Sequence, residues 1–249
     1  MPCRLDEYRE LLSQALNAGY LPCSIPTFWN LIQEGKITPR NKYFVLRHDV
    51  DTDPRTAEEM WKIERQLGVC SSYYFRLCTL APDLMRRIQD SGSEASYHYE
   101  ELSTLAKQYR LKSASAVRAR MEEAKDNFRA NLLHLRKLTS LPMKTVAAHG
   151  DFMNRKLGVH NQEILTDFAL RRELGIKVEV YDEAITRPVT SRHSDGIYPN
   201  QWLPLSPLGA IQRGEPVVYL LSHPRAWKAN PVENLREDLK RAWEGALNQ

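Results

Sequence analysis

Residues 43–51 read Tyr43-Phe44-Val45-Leu46-Arg47-His48-Asp49-Val50-Asp51. The apolar run predicts a strand, and it ends in two acids spaced i, i+2. Strand side chains alternate faces, so Asp49 and Asp51 point the same way. Two neighbouring carboxylates repel unless a cation lies between them or one holds a proton. The pattern suits a hydrolase with one acid on a metal and the other as a base. A plain helix cap competes with it, because Asp51, Thr52 and Asp53 precede Pro54 and an Ala/Glu-rich run.

Outward from this stretch, strand and helix patterns alternate. Helical spacing covers 5–18, 27–34, 55–67, 82–90, 113–138, 161–174 and 231–247. Strand-like runs lie at 69–76, 95–98, 144–150, 176–181 and 216–223, while 182–206 reads as irregular with Pro188, Pro199 and Pro204. Alternation of this kind implies a parallel sheet whose reactive residues gather at the carboxyl ends of its strands. The strand ends here carry Asp49 and Asp51, then Arg76, His98, His149 and His223. No repeat or linker interrupts the pattern, so residues 1–249 are expected to form one domain, with 1–40 a helical N-terminal extension packed on it.

Composition narrows the function. Hydrophobic residues make up 42% of the 249, enough for a sizeable core. The net charge of +4 comes from 35 basic and 31 acidic residues mixed along the chain, and the densest basic stretch, Arg110 to Arg136, contains Glu122, Glu123 and Asp126. That is a solvated helix face, which argues against a nucleic-acid partner. The four cysteines, Cys3, Cys23, Cys70 and Cys78, form no Cys-x-x-Cys pair and read as small core residues. No run is long enough to span a membrane, and Met1 to Tyr8 lacks a signal-peptide pattern. A cytoplasmic protein is expected.

The ordered motifs are familiar. Arg47-His48-Asp49-Val50-Asp51 with its following helix, Gly68, and Ser72-Tyr73-Tyr74-Phe75-Arg76 resemble polysaccharide deacetylases, carbohydrate esterase family 4, and most of all their divergent HDVD-type members. Glu94-Ala95-Ser96-Tyr97-His98-Tyr99-Glu100 resembles the family's second motif and Ala148-His149-Gly150 the third region of the HDVD subgroup. Leu220-Leu221-Ser222-His223-Pro224, with Trp227, resembles the last motif. The resemblance implies a distorted (β/α) barrel of about seven parallel strands and a metal-dependent removal of an acyl group from an amino sugar or related small amide. It gives Asp49 as base, Asp51 and His98 as metal ligands, and His223 as general acid. The implied ion is divalent, Zn²⁺ foremost, with Co²⁺ or Ni²⁺ also accepted.

One departure matters. The family's second motif is His-x-x-x-His, and here the second position is Leu102. His149 is the expected substitute ligand, since it ends a neighbouring strand beside Gly150, and Glu100 is the second choice. The third-motif arginine that orients the base is also missing, leaving Arg47 or Arg76 for that task. Arg47, Arg76, Glu100, Asp195 and Trp227 are the candidate substrate contacts, Asp195 for its loop position and Trp227 as a stacking surface for a sugar. His48 falls on the opposite strand face and is expected to pack beneath the barrel. A carbohydrate or other small molecule is the expected partner; the oligomeric state is not legible. Leu102 keeps two alternatives open: a degenerate barrel that binds a glycan or protein without turnover, and a metal-independent amide hydrolase of the same fold.

Overall fold

The computed structural model describes residues 3–38, 40–196 and 201–228, together with Leu239. Its strands are β1 (Tyr20–Cys23), β2 (Lys42–Val50), β3 (Ser72–Phe75), β4 (Glu94–Tyr99), β5 (Thr145–Ala148), β6 (Val178–Glu179), β7 (Ser191–Asp195), β8 (Trp202–Leu203) and β9 (Val217–Ser222). They form one sheet in the order β6-β5-β4-β3-β2-β9-β7-β8, with β1 also on β2. Every pairing is parallel except β7 with β8. The sheet curls into a half-barrel of the polysaccharide-deacetylase type. An inner apolar cluster spans the curl, joining Val178 and Val180 at one end to Val45, Val217 and Tyr219.

β2 is the axis of the sheet. It is buried on both faces, as expected for a central parallel strand with cover on each side. β9 runs along one edge from Tyr43 to His48. The other edge is shared: β1 pairs with its first half, Cys23 opposite Val45, and β3 with its second half, Ser72 opposite Arg47. The backbone N–H of Ile25 closes the join by donating to Ser72 Oγ at 2.9 Å. Helices cover the outer face. Pro54–Leu67 presents Ala57, Met60, Trp61 and Ile63, and Met121–Thr139 presents Ala124, Phe128, Leu132 and Leu135. This amphipathic burial supplies most of the helices' stability.

The turn after β2 settles the competition over the acids. Asp53 is the N-cap of helix Pro54–Leu67: its carboxylate accepts from Thr56 N–H at 3.1 Å and Thr56 Oγ1 at 2.7 Å. It does so at φ 56°, a conformation that Asp tolerates better than most residues. Asp49 and Asp51 are therefore not spent on capping.

Several elements differ from the sequence reading. The first 40 residues are not only helical, because Tyr20–Cys23 joins the sheet. Eight strands take part in parallel pairing among the described residues, in keeping with the expected number of about seven. The stretch 182–206 contains β7, a polar sequence held by pairing with β9 rather than by propensity, and β8, two residues paired only with β7. The helix expected over 113–138 is broken at Ala119 and Arg120. Helices Glu101–Gln108, Phe152–Leu157 and Pro207–Arg213 were not foreseen. Only Cys23 of the four cysteines is fully buried; Cys3 and Cys78 are exposed and Cys70 is intermediate. The helix expected over 231–247 lies outside the described residues. Among those residues, no helix is long and apolar enough to cross a membrane.

Candidate active site

The inner face of the sheet places the reactive groups at successive heights. β2 contributes Arg47 and Asp49, followed by Asp51. β4 contributes His98, followed by Glu100, and His149 follows β5. His223 follows β9, whose Ser222 is in register with His48. In the strand order, β3, β4 and β5 lie on one side of β2 and β9 on the other. His98 and His149 therefore approach the two acids from one flank and His223 from the opposite flank.

Asp49 is buried and gripped by a guanidinium fork. Arg47 Nε donates to its Oδ1 at 2.7 Å and Nη2 to its Oδ2 at 2.6 Å. Burial acts to raise the Asp49 pKa, but Arg47 and His98 outweigh it and hold the carboxyl below its usual range. Arg47 thus fixes the direction of the Asp49 carboxylate. Fully buried and stacked over Tyr181, with 4.7 Å from guanidinium to ring, it is committed to the protein rather than to substrate.

Asp51, His98 and His149 converge. His98 Nε2 lies 3.2 Å from Asp51 Oδ1 and 3.4 Å from Asp49 Oδ2, and His149 Nε2 lies 3.6 Å from Asp51 Oδ1. One ligand atom from each member of this trio falls within 4.8 Å of the others. His98 Nδ1 is 2.9 Å from the Ala147 carbonyl. A carbonyl only accepts, so Nδ1 carries a proton and Nε2 is the ring nitrogen turned to the acids. Asp51 Oδ1 is buried without a hydrogen-bond partner. A neutral His98 and Asp51 would present two acceptors 3.2 Å apart in a buried place, an arrangement that favours a positive centre beside them, either a proton on an imidazole or a metal ion. A divalent ion held by one carboxylate oxygen and two imidazoles fits that arrangement.

Leu102 takes no part. It is 0% exposed in the outer apolar cluster with Leu105 and Ala106, so it faces away from the acids. Glu100 is instead bound to Arg76 by a second fork, 3.0 and 2.9 Å, while Arg76 Nη1 donates to the Asp51 carbonyl at 3.2 Å. Like Arg47, Arg76 is buried against protein acceptors and is not placed as a substrate contact.

On the other flank, His223 Nδ1 is 2.7 Å from Asp195 Oδ1. The other oxygen of Asp195 accepts from His223 N–H at 2.6 Å, Ser222 Oγ at 2.9 Å and Trp227 Nε1 at 3.0 Å. Burial alone would lower the His223 pKa, but Asp195, aided by Asp51 and Asp49, raises it to about 9. The ring remains 27% exposed. Asp195 and Trp227 are buried. Asp195 is enclosed behind His223, and Trp227 packs against Tyr8 and Trp202, so neither is the substrate contact the sequence suggested. His48 faces outward and meets Glu64 at 2.6 Å. Arg47 was one of the two arginines the sequence offered for orienting Asp49, whereas the contact of Asp195 with His223 joins residues 28 apart and had no local signal.

No protein-family model and no curated protein matches the sequence. Solved structures do match the fold. IcaB from Ammonifex degensii aligns with a TM-score of 0.50 over 70% of this chain and 74% of its own, at 11% identity. The fold is polysaccharide-deacetylase-like. The Streptococcus pyogenes deacetylase PplD, solved with acetate, aligns at 0.46 with 11% identity over 89% of this chain and 84% of its own. A family 4 carbohydrate esterase from Bacillus anthracis aligns at 0.42 with 14% identity over 94% and 86%. Identities this low speak for the fold, so the chemistry of this deacetylase-like barrel has to be argued from its own residues.

Proposed function

We propose that the protein is a metal-dependent hydrolase that removes an acyl group, N-acetyl foremost, from an amino sugar or a related small amide. The reading is carried by the convergence of one ligand atom each from Asp51, His98 and His149, with 3.2 Å between Asp51 Oδ1 and His98 Nε2, beside Asp49 and across from His223. Asp51, His98 and His149 are the proposed ligands and zinc the proposed ion, because an Asp/His/His set leaves a coordination position open. When bound, the ion polarises the acyl carbonyl and stabilises the charge that develops on its oxygen.

The chain's own residues supply the proton transfers. Asp49 takes a proton from the attacking water, with Arg47 fixing the direction of the carboxylate. The tetrahedral carbon then expels the amine. A free amide anion is too poor a leaving group, so the nitrogen must be protonated as the C–N bond breaks. His223 gives that proton from Nε2 while Nδ1–H stays bound to Asp195, which stabilises the imidazolium beforehand. The base lies on β2 and the acid follows the neighbouring strand β9, so the two groups come from different strands.

The test is acetate release by metal-loaded protein from N-acetylglucosamine, its short oligomers and simple acetamides. Turnover that needs a divalent ion, with Asp49→Asn retaining metal but losing activity, is the expected result. Metal-free turnover, or an active Asp49→Asn protein, would overturn the assignment. Tight glycan binding with no acetate released would favour the binding module.

A further inference from the structure

His149 belongs to two clusters. Its Nε2 faces Asp51 and His98, and a second group able to hold an ion is formed by Glu100, His149 and Asp151. The charges around the two clusters differ. Glu100 is forked by Arg76, and Asp151 is bonded to Lys107 Nζ at 2.8 Å through one oxygen and to Met153 N–H at 2.8 Å through the other. Both carboxylates of the second cluster are thus already matched by cations and donors. Asp51 Oδ1 is not matched. The electrostatic demand for a cation falls on the Nε2 side of the ring.

The Nδ1 side then has a different task. His149 Nδ1 is buried and makes no well-formed hydrogen bond, and Glu100 Oε2 lies 3.1 Å away. Metal-bound imidazoles commonly donate their other N–H to a carboxylate, which fixes the tautomer and raises the donor strength of the ligating nitrogen. His98 uses the neutral Ala147 carbonyl for this purpose. His149 faces a full negative charge instead. The Arg76 guanidinium that holds Glu100 also holds the backbone at Asp51, so one side chain ties the carboxylate to the loop carrying the third ligand.

We infer that Glu100, braced by Arg76, is the positioning residue that makes His149 a metal ligand in place of the side chain lost at Leu102. It accepts Nδ1–H and directs Nε2 toward Asp51 and His98 without binding the ion itself. The inference rests on the metal-site reading of the preceding section.

The experiment is zinc affinity by competition with a chromophoric chelator, paired with ¹⁵N–¹H correlation of the histidine rings. Glu100→Gln is expected to weaken zinc by about 10–100-fold with one ion still bound, and Asp151→Asn to leave affinity within about threefold. In the zinc-loaded wild type, the His149 Nδ1–H resonance should lie downfield and exchange slowly. Glu100→Gln should move it upfield and leave the His98 ring unchanged. If Glu100→Gln fails to fold, Glu100→Asp keeps the charge but withdraws the carboxylate by about 1.5 Å, and the same losses are expected. Unchanged affinity and resonance, an equal loss in Asp151→Asn, or no zinc uptake by the wild type would each overturn the inference. A wild type that binds zinc with this dependence but deacylates nothing would uphold it and sink the deacylase reading.

Discussion

The two faces of β2 carry two buried carboxylate centres with opposite characters. On the outer face, Glu64 is saturated. It receives the Tyr8 hydroxyl and His48 Nε2 on one oxygen, and the Ser71 and Tyr73 hydroxyls at 2.7 and 2.8 Å on the other. His48 leaves its Nδ1 without a partner. On the inner face, Asp51 Oδ1 makes no well-formed hydrogen bond, and two imidazole nitrogens lie 3.2 and 3.6 Å from it. A satisfied buried carboxylate stiffens its surroundings, whereas an unsatisfied one calls for a cation beside it, a protonated imidazole or a metal ion. Strand alternation separates the two functions within three residues, His48 outward and Asp49 and Asp51 inward.

Substitutions on the two faces should therefore fail in different ways. Asp51→Ala or His98→Ala should lose the metal and, with it, several kcal/mol of transition-state stabilisation, about 10³-fold or more in kcat. Their thermal melts should match that of metal-free wild type. A variant that keeps its metal by mass spectrometry would break the comparison. His223→Ala should lower kcat by about 10²–10⁴-fold on amides, and by less on an activated ester whose leaving group needs no proton. Equal losses on the two substrates would assign His223 to positioning.

On the outer face, Glu64→Ala strands four buried donors. It should cost at least about 3 kcal/mol in urea unfolding while the folded fraction keeps its metal and its KM. Loss of metal without loss of stability would show that the two faces are not independent.

The pH profile sharpens the contrast within the pocket. Because the folded pKa of His223 is raised to about 9, the proton it donates is present below that value and is lost as pH rises through it. By the same sign, its contribution to stability is full below the ordinary histidine range and is lost as pH rises through about 9. Asp195→Asn should move the alkaline limb of kcat toward the ordinary histidine range, read from kcat against pH. An unmoved limb would mean that another group sets it. The smallest effect belongs to Trp227→Phe. It removes one donor from Asp195 and should cost about 1–2 kcal/mol of stability with little change in metal content.

The sequence alone disclosed what periodicity and local spacing encode. The alternation of Tyr43–Val50 with the helix after it gave a parallel α/β sheet. The i, i+2 acids had to share a face, and His98, His149 and His223 each fell at a strand end. It could also show that Leu102 binds no metal. It could not show which acids were already committed. Local spacing allowed Asp53 to cap its helix and Arg47 to turn back on Asp49 without deciding either, and Asp195 closing behind His223 joins residues 28 apart. Nor could it find β7, whose polar residues become a strand because β9 offers an edge, or the two-residue β8 that pairs with β7. Hydrophobic pattern and turn chemistry are local and survive in one dimension. The balance of buried charge is set by what folding brings within about 4 Å, and only the tertiary structure decides it.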